Sequence, residues 1–255
     1  MIKTSFLQPT MNKKIVDSMG KYTIVEYQQD LSVDPETAIR AYYAARMNVR
    51  KRQVVANLTA GHGCVVQAGA MQWMAGDVKA GTDIKGAGDL MKKLVSSKVT
   101  GETAVKPKYT SGSEGLLVLE PTYKHILLED VGSWGSGMVI EDGLFLACDD
   151  TIEMRTVARS SLSSAALGGE GLFNSMLSGS GIAVLESNVP REELVLVELE
   201  NDVLRVDGPF AIAWSQSLEF TVERTTKTLI GSAASGEGLV NVYRGTGKVL
   251  MAPIA

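Results

Sequence analysis

The sequence has very little histidine. Its 255 residues include only His62 and His125, and imidazole is both the usual base near neutral pH and the commonest metal ligand. A metal centre of the cupin type is therefore short of ligands. His62 and Cys64 stand two apart, so on a strand both would face one way, but no further ligand accompanies them. The pair reads as an exposed histidine and a buried thiol, and no metal or other cofactor is expected. Cysteine is equally scarce: Cys64 and Cys148 are too few for a disulfide framework, so reduced thiols are expected and a single bridge stays open. No apolar run reaches the roughly 18 residues of a membrane helix. The opening MIKTSFLQPTMNKK lacks the apolar stretch of a secretory signal. The expectation is a cytoplasmic chain with no membrane insertion. Positive charge is not in excess either: 25 basic against 29 acidic residues leave a net charge of -4, so nothing draws in phosphate backbones along the whole chain. Nucleic acid is not an expected partner, and the cluster Arg46, Arg50, Lys51 and Arg52 reads as a solvated face.

Enzyme signatures are missing as well. Gly247-Lys248 is followed by Val249, and Val242 stands where a phosphate loop needs its first glycine. After Gly169 and Gly171 the third glycine of a dinucleotide fingerprint is absent, and the residues that follow read as a strand where a helix N-terminus is required. No complete G-x-S-x-G elbow occurs, and Ser160 to Ser164 read as loop. The expectation is a protein that is not an enzyme.

What the chain has in quantity is glycine, and it recurs in phrases. Residues 169 to 185 read GEGLFNSMLSGSGIAVL and residues 236 to 251 read GEGLVNVYRGTGKVLM. Gly169 and Gly236 are 67 apart, Gly181 and Gly247 are 66 apart, and Ala147, Ile152 and Glu153 precede Ala213, Leu218 and Glu219 by 66. A fainter copy starts at Gly101-Glu102, with Gly115-Leu116-Leu117-Val118-Leu119-Glu120 lying 66 before Gly181-Ile182-Ala183-Val184-Leu185-Glu186. A fixed period over that much sequence marks repeated structural units.

Each unit is written in short runs rich in Val, Ile, Leu, Phe and Thr, such as LVLVELE, FAIAWS and LEFTVER, with turn residues every 8 to 12 positions or so. This predicts an all-β fold. Alternation over Leu194 to Leu199 and Leu218 to Glu223 suits a half-buried sheet, and a lead strand is predicted over Tyr22 to Tyr27. The glycines Gly115, Gly179, Gly181, Gly245 and Gly247 read as hairpin turns or bulges. Two segments depart from the pattern. Asp34-Pro35-Glu36-Thr37 followed by AIRAYYAARMNVRKRQV predicts a capped helix over about residues 35 to 54, packed into the core through Ala38, Ile39, Tyr42, Ala45 and Val49. A shorter helix is predicted over Asp89 to Val95, within a Gly-rich linker. The units are placed at residues 1–95, 96–165 and 166–255.

These pieces together resemble a known family. Val66-Gln67-Ala68-Gly69-Ala70-Met71 then Trp73-Met74, Gly101-Glu102, Gly169-Glu170-Gly171-Leu172, Gly179-Ser180-Gly181, Val206-Asp207 and Gly236-Glu237-Gly238-Leu239 are similar in order and spacing to the AIM24 family, also called DUF124. The resemblance covers roughly residues 55 to 255. It implies three tandem units like the tryptophan RNA-binding attenuator protein, each a short double-stranded β-helix sandwich, with one helix inserted in the first unit. It also implies a homotrimer closed into a pseudo-ninefold ring, and it supplies no catalytic residue.

The recurring Glu102, Glu170 and Glu237, with Asn174 and Asn241 each four residues beyond a glutamate, allow two readings. They line a binding site at each unit boundary, or they fix how the units abut. Recurrence in otherwise divergent units favours the structural role. The expected function is thus a non-enzymatic scaffold in a closed homo-oligomeric ring; the alternative is a ring-shaped module that binds a small molecule or RNA at its unit boundaries.

Overall fold

Period-two apolar patterning can bury itself only by pairing strands into a sheet with one covered face. The computed structural model, which describes residues 2–32, 34–82, 106–158, 173–224 and 239–254, is built almost wholly this way. In chain order its elements are β1 (Lys13–Met19), β2 (Tyr22–Tyr27), α1 (Ala38–Arg46), β3 (Arg52–Leu58), β4 (Cys64–Val66), β5 (Met71–Gly81), β6 (Lys108–Leu119), β7 (His125–Asp130), β8 (Met138–Ile140) and β9 (Phe145–Asp149). There follow β10 (Ile152–Ala158), β11 (Phe173–Gly179), β12 (Ile182–Ser187), β13 (Val195–Asp207), β14 (Ala211–Ser215), β15 (Glu219–Arg224) and β16 (Leu239–Met251). The unit boundaries expected near residues 95 and 165, and the helix expected over Asp89 to Val95, lie outside the described residues.

Two curled antiparallel sheets result. One runs β1-β2-β3-β6-β4-β9-β12-β7, with β5 also on β6; the other runs β10-β11-β8-β14-β16-β13, with β15 on β16. The same irregularity appears three times. Val118 and Leu119 of β6 face Trp73 and Met71 of β5, leaving Gln72 unpaired. Val184 and Leu185 of β12 face Ala147 and Phe145 of β9, leaving Leu146 unpaired. Leu250 and Met251 of β16 face Ala213 and Ala211 of β14, leaving Ile212 unpaired. Each is a β-bulge, one extra residue that bends its strand and re-aims a carbonyl. Along β6, β12 and β16 the three sites are spaced by 66 residues.

The core follows from this alternation. Leu117 and Leu119 of β6 share a buried cluster with Val184 of β12. The opposite-facing Ala183 and Leu185 of β12 share the next cluster with Leu250 of β16. A third cluster gathers Val249 with Trp214 and Tyr243, where Phe220 and Tyr243 bring their ring centroids to 5.2 Å. At the other end Val118 is buried with Val25 and Val55 beneath Ile2, Phe6, Leu7 and Trp73.

The helix is shorter than expected and faces the other way. Its start is delayed because the Asp34 carboxylate accepts the amides of Glu36 and Thr37 at 2.9 and 3.0 Å and holds residues 35 to 37 as a turn. It stops because Asn48 takes φ +58, after which Arg52–Leu58 join β2 as β3. Its small residues Ala38, Ala41 and Ala44 turn to the body and only Ala41 is buried. Ile39 is 73% exposed and Tyr42 58%, so the expected core packing through these residues is not found. Alanine on the inward side lets the helix lie close, which sends the large side chains outward.

This contrast is testable by denaturant unfolding. Leu117→Ala, at a fully buried site, is expected to lower stability by about 3 kcal/mol, whereas Ile39→Ser on the helix is expected to change it by less than about 0.5 kcal/mol.

Candidate functional site

Of the residues expected to line unit boundaries, Glu102, Glu170 and Glu237 lie outside the described residues. Asn174 and Asn241 are described, and each amide reaches back 33 residues, to Glu141 Oε1 at 3.4 Å and to the Gly208 carbonyl at 3.0 Å. They are not structural equivalents. Phe173 and Leu239 open β11 and β16 opposite Ala158 and Arg224, 66 residues apart at both ends of the pair. Asn174 therefore corresponds to Val240, and Asn241 to Ser175. The 67-residue spacing of the Gly-Glu starts has already lost one residue before the strands begin, and a slip of one residue moves a side chain to the other face.

The glycine phrases prove to be sockets. Gly179 and Gly181 take φ +103 and +142, and they carry the chain from β11 in one sheet to β12 in the other, where a hairpin turn was one expectation. Around them the Ile182 amide donates to Asp149 Oδ2 at 2.9 Å and the Thr151 hydroxyl to the Ser180 carbonyl at 2.6 Å. The same two bonds recur 66 residues on: the Lys248 amide donates to Ser215 Oγ at 3.0 Å and the Ser217 hydroxyl to the Thr246 carbonyl at 2.8 Å. These clamps need room. A Cβ on Gly181 would come within 2.9 Å of Asp149 and Thr151 side-chain atoms, and one on Gly247 within 2.7 Å of Ser215 Cβ. Gly245 takes φ +118 inside β16, whereas Gly115 and Gly247 sit inside continuous strands and keep ordinary φ. Gly115 is required by the approach of Val78 across the bulge of β5.

A polar cluster lies where β4 meets β9. Lys21 Nζ donates to the Gly63 carbonyl at 2.6 Å and pairs with Asp149 Oδ1 at 3.2 Å, and Lys108 pairs with Asp150 at 3.0 Å. Burial opposes ionisation of Asp150, but the Lys108 hydrogen bond and charge, with Lys21 behind it, outweigh that and hold its carboxyl below the usual range. Beside this cluster, burial pushes the Tyr22 phenol far up, with Cys64 and Asp149 adding to it. Burial likewise lifts the Cys64 thiol to about 12 against the pull of Lys21, and it raises Cys148. Thiols kept protonated are poor nucleophiles and poor metal ligands. Cys64 and Cys148 are both free; Cys64 stands opposite Asp149 and Cys148 opposite Val65, so the two point to opposite faces, into separate clusters.

The sequence does not disclose these partners, because Lys21, Lys108 and Asp149 are far apart in it and no periodicity links them. Nor does it disclose Glu129. That carboxylate is buried, accepts the Trp134 indole N–H at 3.3 Å and pairs with Arg191. His62 is exposed, and among the described residues no group of three or more His, Cys, Asp or Glu side chains could hold a metal ion. A groove of about 550 Å³ lies under residues 2–8, with Lys3, Asn57, Thr59 and Glu114 among its walls; Lys3 and Glu114 are the titratable groups that face it.

Two outcomes check this geometry. Gly247→Ala is expected to cost about 1–3 kcal/mol by overpacking, while Gly81→Ala, whose Cβ would meet nothing nearer than 3.9 Å, should stay within about 0.5 kcal/mol in the same unfolding assay. Because Asp150 titrates lower in the folded chain than its unfolded value of about 3.9, its stabilisation is complete above that pH and is lost as pH falls through the folded value. Acid unfolding should therefore show a smaller pH dependence below about pH 4 in Asp150→Asn.

Comparison with known proteins places this geometry. No curated protein matches the chain. A crystal structure of a Streptococcus pyogenes protein is similar in fold, with a TM-score of 0.58 and 23% identity over 95% of this chain and 93% of that one. The family model described as mitochondrial biogenesis AIM24 matches residues 44–254, and the chain belongs to the AIM24 family.

Proposed function

We propose that this protein is a non-enzymatic assembly protein, a cytoplasmic scaffold built of three tandem β units that close head to tail into a homotrimeric ring. The observation that carries the reading is the threefold recurrence of one bulge, opposite Val118, Val184 and Leu250. This reading moves the unit boundaries from the expected residues 95 and 165 to follow Leu119 and Ser187, so that each unit closes on a long strand: β6, then β11 with β12, then β16. Each is a sandwich of the kind found in the tryptophan RNA-binding attenuator protein, with α1 inserted in the first. The buried clusters support it, since Leu117 and Leu119 of β6 share the first with Val184 of β12, and Ala183 and Leu185 of β12 share the second with Leu250 of β16, so consecutive long strands are joined through common cores. A series joined in this way leaves one face of its first and of its last unit unmatched, and head-to-tail association is the way such a series closes.

A non-enzymatic role is supported by how the polar groups are used. The buried thiols are held protonated, and the carboxylates Asp149 and Glu129 are engaged with Lys21 and Arg191. The glycine phrases accommodate clamps that fix strands. Ring-shaped binding of RNA is disfavoured by the net charge of -4.

Native mass spectrometry is the direct check: the expected particle has three times the 27.2 kDa chain mass, and a 27.2 kDa species at micromolar concentration overturns the ring. In parallel, random single-stranded RNA is expected to show no salt-dependent binding; a steep fall of affinity with salt would instead support the nucleic-acid reading.

A further inference from the structure

Unpaired backbone N–H and C=O groups along a strand edge attract a second edge of matching register. Within the chain two such boundaries are built to one plan. At the first, β4 lies on β9 with Val66 opposite Ala147, Val65 opposite Cys148 and Cys64 opposite Asp149. At the second, β8 lies on β14 with Ile140 opposite Ala213, Val139 opposite Trp214 and Met138 opposite Ser215. Both are bracketed alike. The amides of Gln67 and Glu141 donate to the carbonyls of the bulged residues Leu146 and Ile212, at 2.8 and 3.0 Å. At the far end the amides of Asp150 and Gln216 donate to the carbonyls of Gly63 and Gly137, at 3.3 and 2.9 Å.

The halves of a third boundary are present at opposite ends of the chain. Leu204, Arg205 and Val206 of β13 pair with Tyr243, Val242 and Asn241, as Met138, Val139 and Ile140 pair with Leu177, Met176 and Ser175, every position displaced by 66. Trp73 and Met74 of β5 stand opposite Val118 and Leu117, as Ala147 and Cys148 stand opposite Val184 and Ala183. Among the described residues β13 pairs only with β16, and β5 only with β6. Exposure tells the same story: Cys148 and Trp214 are 0% and 4% exposed at the two internal boundaries, whereas their counterpart Met74 is 43% exposed. The segment Ile2 to Leu7 rests on the face of Trp73, with the Phe6 ring edge-on at 5.5 Å, and it makes no backbone hydrogen bond to β5.

We infer that the β13 edge Leu204–Val206 of one copy pairs antiparallel with the β5 edge Trp73–Ala75 of a second copy, with Val206 opposite Trp73, Arg205 opposite Met74 and Leu204 opposite Ala75. The Asp207 amide then donates to the carbonyl of the bulged Gln72, and the Gly76 amide to the Val203 carbonyl. The inference rests on the ring reading and specifies its contact. The partner is another copy of this chain because the two edges are the two halves of one plan, complementary to each other and not each to itself.

Cross-linking tests it in the full-length chain. Met74→Cys with Arg205→Cys is expected to give covalent dimers and trimers on non-reducing gels under mild oxidation, with at least a tenfold loss of product when either substitution is made alone; Cys64 and Cys148 are buried and stay silent. Met74→Asp is expected to reduce the particle from three chains to one with an unchanged far-UV spectrum, since the side chain is largely at the surface of the isolated chain. A wild-type trimer that fails to cross-link and keeps its mass in Met74→Asp overturns this contact and leaves the ring reading standing. A wild-type monomer overturns both.

Discussion

One extra residue in β9, and one in β14, governs how the strands beside them align. Leu146 and Ile212 are left unpaired where β9 and β14 bulge, and each carbonyl, turned out of its own ladder, accepts an amide from the preceding stretch of chain. A strand slips most easily in steps of two, since a slip of one inverts every side chain. A bulge blocks both, because only one alignment gives the odd carbonyl a donor. The burial of Ala147 and Ala213, the separation of Cys64 from Cys148, and the spacing of the buried clusters all follow from that register.

Around this backbone plan the side chains are free to differ, and they do. The position that accepts the amide opening the last stretch of the long strand is a carboxylate at Asp149 and a hydroxyl at Ser215. Asp149 also meets Lys21, while Ser215 has no charge to offer. The two sites therefore share a backbone geometry and differ in charge: a carboxylate held by a lysine at one, a neutral hydroxyl at the other.

Much of this was legible in the sequence, and the failures have physical causes. The period of 66, the strand class and the family resemblance rest on local patterns that survive without knowledge of contacts. The match of Asn174 with Asn241 rested on a 67-residue spacing that holds for the Gly-Glu starts but not for β11 and β16; a one-residue deletion is invisible in a comparison of phrases and decisive in a sheet. The helix was recognised from Asp34 and its alanines, but its orientation was not, because alanine counts as apolar in any periodicity and the large residues were assumed to point inward. Glu129, Asp149 and Asp150 were not recognisable at all, since their partners are set by topology alone.

The glycine phrases answer the question that their repetition raises. In a catalytic loop, glycines make room for a ligand; at Gly181 and Gly247 the room is taken by Asp149, Thr151, Ser215 and Ser217 of the same chain. The space is filled, and the groups that fill it donate and accept within hydrogen-bonding distance. The same two hydrogen bonds surround Gly181 and Gly247, while the group that accepts the amide changes from a carboxylate at Asp149 to a hydroxyl at Ser215. What the two places share is the close backbone approach that only glycine permits, and that shared fit accounts for the repetition of the phrase in structural terms.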